Sequence, residues 1–353
     1  MNDETVNEAT RNAVEMLEEL IAIPSTSRDE KMAADFLETK LKEQGLAPKR
    51  KGNNIWCVSP DFSQNRPTYL LNAHIDTVKP TTGWKRGPFK ATIEGDRLYG
   101  LGSNDCGGGL VSLLETYKLL TIKGNDEYNL VYLASCEEEV SGKGGIESVI
   151  NDLPPISVAI VGEPTGMQPA IAERGLMVVD VTAKGQSGHA ARNEGVNAIY
   201  EALPDILWFK SHQFSKVSPL LGAVKMTVTM INSGTQHNVI PNECRFTVDI
   251  RSNEFYSNKD ILETIRKNIN GEAKERSTRL NSSQISTDNI LIKKILKMGK
   301  TPYGSPTLSD QALMPWPSFK LGPGESARSH TADEFICISE IRNAIRDYIE
   351  LLS

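Results

Sequence analysis

Three short apolar runs constrain this chain more than any other feature: "TYLLNA" (68–73), "NLVYLAS" (129–135) and "SVAIVG" (157–162). Each has the length of a strand and is apolar at consecutive positions, not alternate ones. Such strands are buried on both faces, as in a parallel sheet covered by helices. Each run also ends in reactive chemistry. The first stops at His74 and Asp76. The second runs into "CEEEVSGKGG", with Glu137, Glu138 and Glu139, and the third into "VGEPTG", with Glu163. Between the first two, "GLGSNDCGGG" puts Asp105 in a glycine-rich loop ahead of a helix. In open α/β sheets, sites form outside the carboxyl ends of the strands, so these side chains are placed to meet.

Helical stretches separate the runs. Val6, Ala9, Val14, Leu17, Leu20 and Ile21 fall at helical spacing, and Pro24 stops that helix. Further helices are expected in "RDEKMAADFLETKLKEQG", in "GGLVSLLETYKLL" and from "GGIESVI". The middle of the chain changes character. "LMVVDVTAKG" (176–185), "AVKMTVTMINSG" (223–234) and "ECRFTVDIRS" (243–252) alternate apolar and polar residues, so each buries one face. With helices after the first and third, and a short strand at 275–280, the order is β-α-β-β-α-β, a ferredoxin-like unit. The polar stretch "RLNSSQISTDN" reads as the way back. Helices near 287–299, 308–314 and 337–352, with a strand in "SFKLGP", complete the chain. The fold class is α/β, a mostly parallel sheet sandwiched by helices, with an inserted α+β unit. A chain of 353 residues suits two domains.

Charge and composition remove some functions. A net charge of −6 disfavours a polyanion-binding surface, and the one compact basic run, Lys49 to Lys51, reads as a solvated edge. No apolar run approaches the length of a membrane span, and the acidic start of the chain has no apolar signal core. Five scattered cysteines, Cys57, Cys106, Cys136, Cys244 and Cys337, suit reduced thiols. The expectation is a cytoplasmic protein that binds neither nucleic acid nor membrane.

Carboxylates gathered at strand ends repel one another and are costly to desolvate unless a cation compensates. The glycine-rich loop is a poor phosphate cradle, since Asp105 would face the phosphate. Imidazole with carboxylate suits zinc, with cobalt or manganese as substitutes. Residues two apart on an extended chain point to the same side. His74 can therefore bind a metal through one ring nitrogen while Asp76 accepts a hydrogen bond from the other.

The motifs "AHIDTV", "GLGSNDCGGG", "EEVSGKGG", "VGEPT", "GQSGHAAR", "NVIPNE" and "SHTADEF" run in order over almost the whole chain. As a set they resemble the metal-dependent deacylases and exopeptidases that include acetylornithine deacetylase, succinyl-diaminopimelate desuccinylase and aminoacylase. The resemblance implies a zinc-exopeptidase-like catalytic domain built from 1–171 and 286–353, with 172–285 as an inserted lid and dimerisation domain. It implies two divalent metal ions. His74 and Glu163 would hold one, Glu139 and His330 the other, and Asp105 would bridge them through a residue followed by a cis peptide. Aligning Glu138-Glu139-Val140-Ser141 and Gly144 with the family pattern makes Glu138 the general base. Where the family often has a bulky residue and Lys after the bridging Asp, this chain has Cys106 and Gly107.

For the substrate, the resemblance implies an N-acyl amino acid whose carboxylate is held by Arg251, with Asn238 and Arg174 as lesser candidates. Gly324 would let the backbone approach it. His189 would reach the active site of a partner subunit in a homodimer joined through the lids. His212 and His237 read as ordinary surface histidines. The reaction so implied is hydrolysis of N-acetylornithine to ornithine and acetate, a step of arginine biosynthesis. N-succinyl substrates, acetylcitrulline, diaminopimelate derivatives and dipeptides are alternatives. A non-catalytic binding protein on the same fold should lack the base or a ligand, and here Glu138 and all five ligand positions are present.

Overall fold

The computed structural model describes residues 2–124, 126–192 and 194–353. Helix α1 (Asp3–Ile21) starts where the Asn2 side chain accepts the Thr5 amide at 2.9 Å. Its buried stripe of Val6, Ala9, Ala13, Leu17 and Ile21 recurs at three- and four-residue steps. After it come α2 (Lys31–Glu43), β1 (Lys49–Lys51), β2 (Asn54–Val58) and β3 (Thr68–His74). A small hairpin follows, β4 (Thr92–Glu94) and β5 (Arg97–Tyr99), then α3 (Gly108–Lys123), β6 (Asn129–Ser135), β7 (Val158–Val161) and β8 (Ala170–Glu173).

Every residue of β3, β6 and β7 is buried, as continuous apolar runs require. β3 lies between β6 and β7 and is parallel to both. β2 and then β1 extend the sheet beyond β6 in antiparallel fashion. One face is covered by α3, which buries Leu110, Leu113, Leu114 and Tyr117. At Gly109 a Cβ would come within 1.8 Å of the Gly162 carbonyl oxygen, so only glycine lets α3 approach the end of β7 this closely. On the other face Trp56, Leu70, Val131, Leu133 and Ala159 meet Ile146, Val149 and Leu153. The helix expected from "GGIESVI" does not form. Two 3₁₀ turns, Ile146–Ser148 and Ile150–Asp152, stand there instead, because Pro154 and Pro155 follow too soon for regular helix to develop.

The second compact unit comprises Ala172–Gln284 with Gly304–Leu308. It contains β9 (Met177–Lys184), β10 (Gly188–His189), α4 (Ala198–Ser211), β11 (Lys225–Ser233), β12 (Val239–Ile240), β13 (Glu243–Arg251), α5 (Asn258–Asn268), β14 (Glu272–Glu275) and β15 (Ser283–Gln284). Its main sheet is antiparallel in the order β11-β13-β9-β14, the ferredoxin-like arrangement. The alternating residues Val179, Val181, Phe246 and Val248 pack with Ala202 and Phe209 of α4 and Ile261 and Ile265 of α5. The last strand begins earlier than the expected 275–280. The Asp205 carboxylate accepts the Asn270 and Gly271 amides at 3.0 and 2.8 Å and so fixes where β14 starts.

The chain returns as α6 (Ile290–Lys297), β16 (Tyr303–Ser305), β17 (Ser318–Lys320), β18 (Phe335–Cys337) and α7 (Ile338–Leu352). β17 pairs in parallel with β7, which makes β6-β3-β7-β17 the parallel heart of the sheet. β18 joins β5. The first unit thus runs through Ile171 and resumes with Ile285–Tyr303 and Ser309–Ser353. Gly304–Leu308 falls with the second unit. A Cβ on Gly304 would sit 2.5 Å from the Leu220 carbonyl oxygen, a measure of how tightly it packs there. The helix expected at 308–314 is a single 3₁₀ turn, Asp310–Leu313, ended by Pro315 and Pro317. Among the described residues no helix is long and apolar enough to cross a membrane.

Candidate metal centre

His74 is the last residue of β3. Its Nδ1 lies 2.8 Å from the Asp76 carbonyl oxygen, an acceptor, so Nδ1 carries the proton and Nε2 is left to face the carboxylates. Nε2 is 3.2 Å from Asp105 Oδ1 and 3.8 Å from Glu163 Oε1. The other oxygen of Asp105, Oδ2, is 3.6 Å from His330 Nε2, which in turn is 3.0 Å from Glu139. Asp105 therefore turns one oxygen to His74 and the other to His330. The peptide after it, Asp105–Cys106, is cis.

Asp76 does something other than expected. Its carboxylate stays 3.6 Å from His74 Nδ1, because the adjacent backbone carbonyl takes that hydrogen bond. The two carboxylate oxygens instead accept the amides of Glu138 and Glu139, at 3.1 and 3.2 Å, and the Ser27 hydroxyl at 2.6 Å. Asp76 thus shapes the turn that carries both glutamates. Glu137 points elsewhere. Its carboxylate accepts the Gly144 amide, and a Cβ at Gly142 would meet it at 1.8 Å, which is why glycines follow the glutamate run. Glu138 stays at the centre, 4.0 Å from His74 Nε2.

The charges show what the cluster lacks. Burial, then Asp105, pushes the Glu163 carboxyl up to about 8. Burial, then Glu163, drives Glu138 well above the usual carboxylate range. His330 is pushed up to about 9, first by its bond to Glu139. Burial alone would lower His74, yet its neighbours Cys106, Asp105 and Glu138 raise it well above its ordinary value. Glu163 Oε1 is buried and reaches no hydrogen-bond donor. Clustered acceptors that hold protons this tightly, with one orphaned oxygen, fit bound cations. His74, Asp105 and Glu139 lie close enough to share one, and so do His74, Cys106 and Glu163. Cys106 was expected to be a packed neighbour. Its buried sulfur accepts the His74 amide at 3.2 Å, and its thiol is pushed up to about 12 by burial.

The remaining candidates have other partners. Gly324, in the first unit, has φ of 84°, and a Cβ there would meet Asn104 Oδ1 at 2.3 Å, so packing against Asn104 accounts for that glycine. In the second unit Arg251 is paired with Asp249 through two bonds of 2.9 and 3.1 Å. Arg174 is buried and donates to the Ala223 and Leu221 carbonyls. His189 and Asn238 come together: the Ala190 amide donates to the Asn238 carbonyl, and β10 pairs with β12. His189 is exposed. His212 stacks on Trp208, an ordinary helix-end contact.

Two buried carboxylates whose charges act on this cluster escaped the sequence reading. Glu334 accepts the amides of Gly102, Asn104 and Asp105. Asp310 accepts the Ser135 hydroxyl at 2.6 Å, and burial pushes it up to about 6. Glu334 sits in the quoted "SHTADEF", where an acid reads as solvated. Asp310 carries no local signal at all.

Residues 70–353 match the family model described as Peptidase family M20/M25/M40. The chain belongs to that family. M20 membership makes it a metal-dependent hydrolase of amide bonds. It is 28% identical to a [LysW]-lysine/[LysW]-ornithine hydrolase of Sulfurisphaera tokodaii, over 97% of this chain and 95% of that protein. It is 26% identical to an acetylornithine deacetylase of Proteus mirabilis, over 92% and 91%. In fold it is similar to the aminopeptidase PepT of Bacillus cereus, with a TM-score of 0.77 at 18% identity over 99% and 98% of the two chains.

Proposed function

We propose that this M20 hydrolase removes the acyl group from an N-acyl amino acid, with N-acetylornithine as its substrate, in arginine biosynthesis in the cytoplasm. The carrying observation is the split of Asp105, with one oxygen toward His74 and the other toward His330. That geometry suits two divalent ions, His74 and Glu163 holding one, Glu139 and His330 the other, and Asp105 between them. The substrate choice is supported by the two relatives, whose names both contain ornithine. Five free cysteines suit a reducing compartment.

Bound cations, zinc by ligand type, would lower the pKa of a water to about 7 and polarise the amide carbonyl. Glu138, 4.0 Å from His74 and held in place through Asp76, takes a proton from the attacking water. It then delivers that proton to the leaving nitrogen, which departs as the free amine. Arg251 would hold the substrate carboxylate, exchanging part of its pairing with Asp249.

A homodimer through the second unit is part of the proposal. α4 exposes Tyr200, Leu203 and Leu207 on one face, and the edge strand β11 exposes Met230 and Ile231. An apolar sheet edge beside an apolar helix face invites pairing with a second copy. His189 of one subunit would then donate to the oxyanion in the other.

The test is a substrate panel. Protein supplied with zinc or cobalt is offered acetyl and succinyl derivatives of ornithine, citrulline and diaminopimelate, beside dipeptides. The highest kcat/KM is expected for N-acetylornithine. Turnover of dipeptides alone would overturn the deacylase reading, and turnover of nothing would overturn the catalytic one.

A further inference from the structure

Glu334 is 2% exposed, yet it is a carboxylate beside other carboxylates. Its Oε1 accepts the amides of Asn104 and Asp105, both at 2.9 Å, and its Oε2 accepts the amide of Gly102 at 3.1 Å. Its own carbonyl accepts the Gly100 amide at 3.0 Å. One residue thus gathers four backbone donors from the glycine-rich loop that carries Asp105. It is also four residues beyond His330, on a segment whose backbone is unusual. His330 and Asp333 both have positive φ, 61° and 55°, without being glycine. Asp333 fastens the same segment elsewhere, through the Lys85 and Arg86 amides at 3.0 Å.

A neutral oxygen could satisfy these amides. A carboxylate meets all three of its amide partners with two oxygens and no competing donor. Charge-assisted bonds are shorter and about twice as strong as neutral ones, so the carboxylate fixes the loop more rigidly than a neutral cap would. What it fixes is the spacing between Asp105 and His330, since its backbone is continuous with one and its side chain grips the other.

We propose that Glu334 is a positioning residue that presets Asp105 and His330 for metal, so that the centre is formed before the ions arrive. The inference rests on the two-cation reading of the site. It concerns Glu334's grip on the loop that carries Asp105.

The test uses zinc alone as the probe. Wild-type protein is stripped with a chelator and titrated calorimetrically, beside Glu334→Gln and Asp333→Asn. Glu334→Gln keeps the shape but turns a donor toward the loop amides. It is expected to weaken zinc binding at least tenfold and to lower kcat at least tenfold, with KM changed less than threefold, and excess zinc should recover part of the activity. Asp333→Asn removes a charge from the same segment while its Oδ1 can still accept both amides, and it should keep wild-type zinc affinity. Equal zinc affinity in wild type and Glu334→Gln, with only a lower Tm, would overturn the proposal. So would equal losses in the two variants. A wild type that takes up no zinc would instead sink the two-cation reading. If Glu334→Gln does not fold, amide hydrogen exchange on the unmodified protein decides. The Gly102, Asn104 and Asp105 amides should be protected without metal, and fast exchange there that slows only on adding zinc would overturn the preset loop.

Discussion

Replacing Asp76 by Asn separates two ways in which that carboxylate could serve the centre. Asp76 is 1% exposed, and its Oδ2 accepts both the Glu139 amide and the Ser27 hydroxyl, while Oδ1 accepts the Glu138 amide. Asn has one acceptor. It does best to place that oxygen where two donors converge, which leaves its NH2 facing the Glu138 amide. One charge-assisted bond is lost and a donor–donor contact replaces it, at about 2–3 kcal/mol. If that cost appears as misplacement of Glu138, kcat falls roughly 30- to 150-fold at 1.4 kcal/mol per tenfold. KM should hold, and so should the metal content, because His74 is oriented by the Asp76 backbone carbonyl, which Asn retains. Steady-state kinetics and metal analysis of Asp76→Asn read both quantities. Wild-type kcat would refute the role in the turn. Loss of metal at unchanged turn geometry would show that the carboxylate acts through the imidazole after all.

Glu138→Ala should keep bound metal and lose turnover, whereas Glu139→Ala should bind less metal; the reverse pattern in metal analysis would shift the glutamate assignment by one residue. Without metal, Glu163 (about 8), Glu334 (about 7), Asp310 (about 6) and His330 (about 9) all bind protons more tightly folded than unfolded. Their stabilisation is complete below the unfolded values and is lost as pH rises through the folded ones. The Tm of metal-free protein should therefore fall from about pH 5 to 9, and less so for metal-loaded protein; a flat profile in differential scanning calorimetry would contradict this. Mixing His189→Ala with Glu138→Ala subunits should restore about a quarter of wild-type activity if His189 acts across a dimer, and none if it acts within its own chain.

The parts of the fold that stood out in sequence are those in which local pattern and tertiary burial agree. β3, β6 and β7 are buried on both faces, so their residues could only be continuously apolar. β9 and β13 bury one face and alternate. Reading failed where tertiary packing outweighs pattern. Residues 146–153 have helical composition, yet they settle as turns against Trp56 and Leu133. At the centre, His74, Asp105, Glu139, Glu163 and His330 are near in space although far apart in sequence, and strand-end chemistry pointed to three of the segments involved. Asp76 differed because a backbone carbonyl, invisible to residue types, reaches the imidazole first. Glu334 went unrecognised because all three partners of its side chain are backbone amides, which leave no mark in the identities of the residues that bear them.

The most direct measurement is anomalous diffraction at the zinc edge from crystals of zinc-loaded protein. Two peaks per chain are expected, one beside His74 and Glu163 and the other beside Glu139 and His330, with an oxygen of Asp105 facing each. A single peak, or a second one away from Asp105, would contradict the two-cation centre and the roles built on it.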